Sequence, residues 1–271
     1  MNWIEILLMG LVLGLSEFVP ISSGGHQRLM LHLFGMTEID PLCHLVLTAG
    51  VLAAVLTSCG GIFQRLLAER AITLRKRKHR TYGSRYYDYR IVKGAVWPLA
   101  IVYAICSLFQ FSISLPGLAL AFLLNGIVLF VTGNMRQGNK DSRRMTSLDS
   151  TLMGLFGGMS AIAGISLIGT VSSVAVARGA QRQSALNWAL SITAPALLIR
   201  MVIDLFLILI GGTALTITGF LCCLGGAVFA FIGGRISVRL VRFIIGRSGL
   251  SGFSYYVWGA AILTFILFLI T

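Results

Sequence analysis

Residues 13–28, LGLSEFVPISSGGHQR, interrupt the first apolar run of the chain and restrict what that run can become. Residues 3–15 precede them and are apolar enough to enter a bilayer. Glu17 then falls at membrane depth, Pro20 removes a backbone donor, Ser22 and Ser23 favour a turn, and Gly24 and Gly25 free the backbone. A broken backbone in hydrocarbon is tolerated only where protein buries it or where it lines a wet cavity. Glu17, Ser22, Ser23, Gly24, Gly25 and His26 therefore read as a polar site. The alternative is a Pro/Gly kink around a satisfied buried glutamate.

The surrounding composition supplies the membrane. Of 271 residues, 56% are hydrophobic and 11% charged, against about 25% charged in soluble domains. Alternating short segments of a barrel are absent, so the expected fold is all-α and polytopic. The net charge of +13 does not require nucleic acid, because the cations flank apolar segments. The positive-inside rule and anionic lipid explain them. The five cysteines show no metal spacing. With neither a basic n-region nor a cleavage site, no signal peptide is expected.

The pattern predicts spans at 42–58, 94–112, 117–134, 186–210, 213–233 and 252–270, with basic cytoplasmic loops at 64–93, 134–147 and 234–248. The cluster Arg75, Lys76, Arg77 and Lys78 is central to the first loop, and Tyr82, Tyr86, Tyr87 and Tyr89 suit an interfacial helix there. Residues 3–15 with 28–36, and residues 151–176, read as two segments that dip in and return. Six spans and two re-entrant segments put both termini outside. Arg28 and Arg200 are the cations left away from the cytoplasmic segments.

The chain also repeats itself. Shifted by 144 residues, MGLVLGLSEFVPISSGGH from Met9 aligns with MGLFGGMSAIAGISLIGT from Met153 without gaps. Gly10 falls on Gly154, Gly14 on Gly158, Ser16 on Ser160, Ser22 on Ser166 and Gly25 on Gly169. Each half holds one re-entrant segment and three spans, an odd number, so the second half enters from the opposite side. One membrane domain of inverted repeats 1–134 and 148–271 follows, with its site where residues 17–28 face residues 163–171. Two unrelated glycine-rich helices are the plainer alternative.

Chemically, Glu17 suits a general base, a cation ligand or a proton carrier. Ser22, Ser23 and the Gly24 and Gly25 amides suit phosphate oxygens, aided by a helix starting near His26. His26 suits proton transfer or attack on phosphorus. Arg28 is the nearest cation for phosphate. Arg200 and Asp204, four apart on one span, are expected to pair, for structure or for function. His32 and His44 have no evident partner.

LGLSEFVPISSGGH, residues 13–26, resembles the first motif of the undecaprenyl-pyrophosphate phosphatase family, also called BacA or UppP, approximately EGxTEFLPVSSTGH. The second motif, PGxSRSGxT, stands here as AGISLIGTV at residues 163–171. Ser166 and Gly169 match it, with Thr170 beside them. Leu13, Leu167, Ile168 and Val171 replace a Glu, an Arg, a Ser and a Thr of the family, and Thr48 stands where it has a Gln. The resemblance implies six spans, two re-entrant segments and hydrolysis of a polyprenyl pyrophosphate at the outer face of the bacterial cytoplasmic membrane. It assigns catalysis to Glu17, Ser22, Ser23 and His26, phosphate binding to Gly24, Gly25, Arg28, Ser166, Gly169 and Thr170, and a divalent cation, magnesium or calcium, to Glu17. Arg200 is the candidate substitute for the cation missing at Leu167. The rival reading binds or flips polyprenyl phosphate without hydrolysis. The sequence leaves oligomeric state open, a homodimer included.

Overall fold

The computed structural model describes residues 2–76, 87–108, 113–136, 138–213 and 215–271. Every regular element among them is helical. The chain opens on a broken pair. Helix α1 (Trp3–Glu17) starts with Glu5 Oε2 accepting the Asn2 amide at 2.6 Å. It stops short of Pro20, because the residue before a proline is pushed out of helical backbone. Helix α2 is Ser23–Leu33, so the returning segment begins earlier than the predicted 28–36. Gly24 and Gly25 are helical residues of its first turn rather than freed backbone.

Helix α3 (Pro41–Ser58) begins where Asp40 Oδ1 accepts the Leu42 amide at 2.9 Å, with Pro41 preset for a helix start. Helices α4 (Gly60–Lys76), α5 (Tyr87–Leu108) and α6 (Leu115–Asn134) follow. The second broken pair is α7 (Ser147–Gly158), a 3-10 turn over Met159–Ala161, and α8 (Leu167–Ala177). Helices α9 (Arg182–Gly211), α10 (Ile217–Ser248) and α11 (Ser251–Ile270) complete the chain.

Among the described residues six helices, α3, α5, α6, α9, α10 and α11, are long and apolar enough to cross a membrane. The protein is an all-α, multi-pass membrane protein. Two expectations need correction. The stretch 234–248, read as a loop, is the helical continuation of α10. It ends only where Gly249 takes φ +71°. Arg242 of this extension donates to Cys59 Sγ at 3.2 Å, docking it on the end of α3. Within 64–93, α4 and α5 occupy most of the predicted loop, while Arg77, Lys78, Tyr82 and Tyr86 lie outside the described residues.

Lipid gives helices little hydrophobic reason to associate, so close contact depends on small residues. A Cβ on Gly10 would lie 2.1 Å from the Gly226 carbonyl oxygen, and one on Gly14 2.2 Å from that of Ala230. Helix α1 therefore presses directly on the α10 backbone. A Cβ on Gly154 would lie 2.1 Å from the Ala95 carbonyl oxygen, so α7 presses on α5 in the same way. Each broken pair leans on a span from the other half of the chain. Helices α6 and α11 pack together, as do α3 and α9.

Candidate functional site

The two breaks meet inside the protein and satisfy each other's backbone. Ser22, the residue before α2, has φ +70°, a left-handed conformation uncommon for a side-chain-bearing residue. Its hydroxyl accepts the Gly25 amide at 3.2 Å and the Gly164 amide at 3.0 Å. Ser166 caps α8 in the same manner, accepting the Gly169 amide at 3.1 Å, and donates to the Val19 carbonyl at 3.4 Å. Asn125 of α6 joins both: its Nδ2 donates to Pro20 O and its Oδ1 accepts the Ser166 amide, each at 3.3 Å. These hydrogen bonds pair backbone freed by the breaks within the protein, which is what lets broken backbone sit at this depth.

Beside this junction lies a cavity of about 220 Å³. Glu17, Ser23, Gly24, Arg28, Ser166 and Arg200 of the predicted site all line it. Glu17 is the last residue of α1, 8% exposed, and its Oε2 is buried without a hydrogen-bond partner among the described residues. Ser23 and Gly24 form the start of α2, and Ser166 precedes α8. The cavity therefore receives the positive ends of two short helices, an arrangement that favours an anion. Leu167 lines it as well, so the position of the family's second-motif arginine is apolar here.

Arg200 enters from α9. Both protons of its Nη2 are used: Nη2 donates to Gln27 Oε1 at 2.8 Å and to His44 Nε2. His44 in turn meets Asp204 Oδ2 through Nδ1 at 2.7 Å. A carboxylate and a guanidinium on either side fix the imidazole as the Nδ1–H form, donating to Asp204 and accepting from Arg200. The expected direct pair of Arg200 with Asp204 is therefore corrected. The ring of His44 stands between them, because α3 packs against α9 there.

The other predicted residues turn elsewhere. His26 Nδ1 meets Ser22 O at 2.8 Å and Nε2 meets Tyr256 Oη at 2.9 Å. A carbonyl only accepts, so Nδ1 carries the proton and Nε2 accepts from the tyrosine. The ring stacks on Tyr256 and meets Phe122 edge-on, facing α6 and α11 rather than the cavity. Gly25 packs where a Cβ would lie 2.5 Å from the Phe122 ring. Gly169 is enclosed by Ser166, Leu129 and Pro20. Thr170 Oγ1 donates back to Ser166 O at 2.8 Å. Ser22, Gly25, His26, Gly169 and Thr170 thus do not line the cavity. Arg28 donates to Thr37 O at 2.9 Å, at the boundary with a neighbouring cavity of about 330 Å³.

Gln27, His44 and Asn125 were missed as site residues. Gln27 lies within the 17–28 stretch, although nothing in the sequence singles it out there. His44 had one signal, an ionisable side chain inside a span.

Among the described residues no group of three His, Cys, Asp or Glu side chains is placed to hold a metal ion. Of the carboxylates that line the cavity, Glu17, Glu38 and Asp204, Glu17 holds a buried oxygen without a hydrogen-bond partner among the described residues, and its chemistry suits a hard cation.

Residues 6–263 match the family described as "Bacitracin resistance protein BacA". The chain is similar to an undecaprenyl-diphosphatase of Carboxydothermus hydrogenoformans, 27% identical over 259 residues that span 95% of this chain and 94% of the relative. It is similar to undecaprenyl-diphosphatase 3 of Bacillus cereus, 28% identical over 269 residues, 98% of each chain. An undecaprenyl-diphosphatase of Halothermothrix orenii is 25% identical over 269 residues, again 98% of each.

Proposed function

The chain belongs to the bacitracin resistance protein BacA family, and from that premise we propose that it hydrolyses undecaprenyl pyrophosphate to undecaprenyl phosphate and inorganic phosphate in the bacterial cytoplasmic membrane. The observation that carries this reading is Glu17, whose unpartnered buried oxygen shares a cavity with Arg200 and two helix N-termini. Phosphoryl transfer asks a protein mainly for positioning and for charge stabilisation. Glu17 is the base that takes a proton from the attacking water. Ser23 and the first amides of α2 and α8 receive phosphate oxygens. Arg200 offsets the negative charge that the family's second-motif arginine would otherwise offset. Water supplies the new P–O bond, the anhydride P–O bond breaks, and the lipid monophosphate leaves. His26, bonded on both ring nitrogens, has no step in this scheme.

A divalent cation fits only as a companion of the substrate. Glu17 would be its protein ligand, and the pyrophosphate oxygens would supply the others, as magnesium sites in phosphoryl-transfer proteins commonly do. When bound, it would neutralise pyrophosphate charge.

The chain is read as two inverted repeats, 1–134 and 148–271. The matched serine caps, Ser22 to Gly25 and Ser166 to Gly169, support this. So do the matched glycine contacts of Gly10 and Gly154 on spans of the opposite half. The cavity is then read as opening outward, because Glu38, Ile39 and Pro41, with Ile203, Asp204 and Leu207, contribute to it near the ends of α3 and α9 remote from the basic segments.

The test is phosphate release from undecaprenyl pyrophosphate by purified protein, with Glu17→Gln as comparison. Release by the unmutated protein and its loss in the variant are expected. Tight lipid binding without release would overturn hydrolysis and favour translocation of the lipid.

A further inference from the structure

Arg200 is held in an unusual way for a half-buried arginine. Its partners through Nη2 are two neutral acceptors, Gln27 Oε1 and His44 Nε2, and not a carboxylate. The nearest acid along the network, Asp204, is one imidazole away. A guanidinium has five N–H donors. Two of them are spent on Gln27 and His44, both from the same nitrogen. Nη1 lies on the Cδ side of the guanidinium, so each paired donor edge includes Nη2, and the Nε and Nη1 protons are left as separate donors for phosphate oxygens. A carboxylate in the place of His44 would neutralise the charge and compete with phosphate for it. The imidazole does neither, yet it lets Asp204 contribute its charge at a distance.

We propose that His44 and Asp204 are positioning residues that hold Arg200 through Nη2 and leave its charge and its Nη1 donors to the phosphate of a lipid pyrophosphate. This deepens the functional reading above and rests on its assignment of the cavity to that ligand. Asp204 accepts the Nδ1 proton of His44 and so fixes the tautomer. The Nε2 lone pair then takes one Nη2 proton and sets the plane of the guanidinium. Gln27, on α2, takes the second and ties the orientation to the helix whose first turn lines the same cavity. Neither His44 nor Asp204 touches the reacting atoms. Loss of Asp204 leaves the imidazole free to place a proton on Nε2, where it would face the guanidinium donor to donor.

The experiment measures binding of farnesyl pyrophosphate, a short soluble analogue, to detergent-purified full-length protein by calorimetry. Binding does not require turnover, so a protein that fails to hydrolyse still reports on the clamp. Arg200→Ala is expected to weaken binding roughly tenfold to a hundredfold, the usual loss for hydrogen bonds to a charged group. His44→Ala and Asp204→Asn should weaken it by a similar factor. His44→Gln, which can keep an acceptor toward Arg200, should recover most of the loss. In the Arg200→Ala background, His44→Ala should cost nothing more, because residues acting through one another are not additive. Should His44→Ala fail to fold, Asp204→Asn carries the test, since it keeps the size of the side chain and opens no cavity. Unchanged affinity in folded Asp204→Asn and His44→Ala proteins overturns the proposal, as does an additive loss in the double variant. Hydrolysis with intact affinity in these variants keeps the phosphatase reading and removes the positioning pair. Normal coupling with no phosphate release keeps the pair and removes the phosphatase.

Discussion

The Ser22 hydroxyl accepts the backbone amide of Gly164 at 3.0 Å, across 142 residues of chain. The same oxygen accepts the Gly25 amide, so one side chain satisfies a donor in each break. Ser22→Ala leaves both amides buried and unpaired, at a cost of about 1–3 kcal/mol for each such group. Ser22→Gly has the same loss but relieves the positive φ. Thermal unfolding in detergent should rank the unmutated protein above Ser22→Gly, and Ser22→Gly above Ser22→Ala. Equal melting temperatures for all three would show the bridge to be dispensable.

The glycine contacts can be tested as a pair. A methyl at Gly10 or at Gly154 meets a carbonyl oxygen at 2.1 Å, and backbone cannot turn aside as a flexible side chain can. Each alanine substitution is expected to lower stability by about 1–3 kcal/mol, the usual cost of overpacking. If the two halves are repeats, Gly10→Ala and Gly154→Ala should cost alike, and both should exceed Gly252→Ala, where a Cβ meets nothing within 4 Å.

Cation binding should depend on the lipid. Calorimetry of the protein alone with magnesium should give no resolvable heat, because no three ligating side chains are grouped among the described residues. Adding farnesyl pyrophosphate should produce protein-bound magnesium, and Glu17→Gln should remove it. Tight magnesium binding without the lipid would point to ligands beyond Glu17.

The orientation is open to chemical labelling. With the native cysteines replaced by serine, a cysteine at Thr37 should react with an impermeant maleimide in intact cells, and one at Ser142 should not. The reverse pattern would invert the topology, and with it the face on which the cavity opens.

Acid should loosen the start of α7. Burial pushes the Asp149 carboxyl up, but hydrogen bonds from Thr146 and the Arg178 guanidinium at 2.5 Å outweigh it, so its pKa is lowered. A lowered folded-state pKa gives stability that is present above the ordinary carboxylate value and lost as pH falls through the folded one. Asp149→Asn should therefore melt lower than the unmutated protein at pH 7, and the gap should shrink on acidification below about pH 4.

The spans and the two breaks were legible because both are local signals. An apolar run of the required length announces itself, and Pro20 in the first break and Gly158 and Gly164 at the second fall where the helices stop. The last fifteen residues of α10 were not legible, since Arg235, Arg239 and Arg242 break the apolar pattern and read as a basic loop. Nor could the motif say which way His26 faces. Its ring is turned by Tyr256, 230 residues away. The place of His44 between Arg200 and Asp204 is likewise a long-range fact. The i, i+4 rule sees only one helix, and the third member arrives from α3.

The contact of Gly10 with Gly226 has a consequence for how the protein is made. Synthesis runs at about 5–20 residues per second, so roughly ten to forty seconds separate the two glycines as they leave the ribosome. Over that interval α1 has left the ribosome but lacks its principal neighbour, and Glu17 waits at its end with no finished cavity around it. The N-terminal helix must be sheltered by insertion machinery or by earlier spans until α10 arrives. A chain halted before residue 217 would hold every residue of the first break and still lack the surface that seats it.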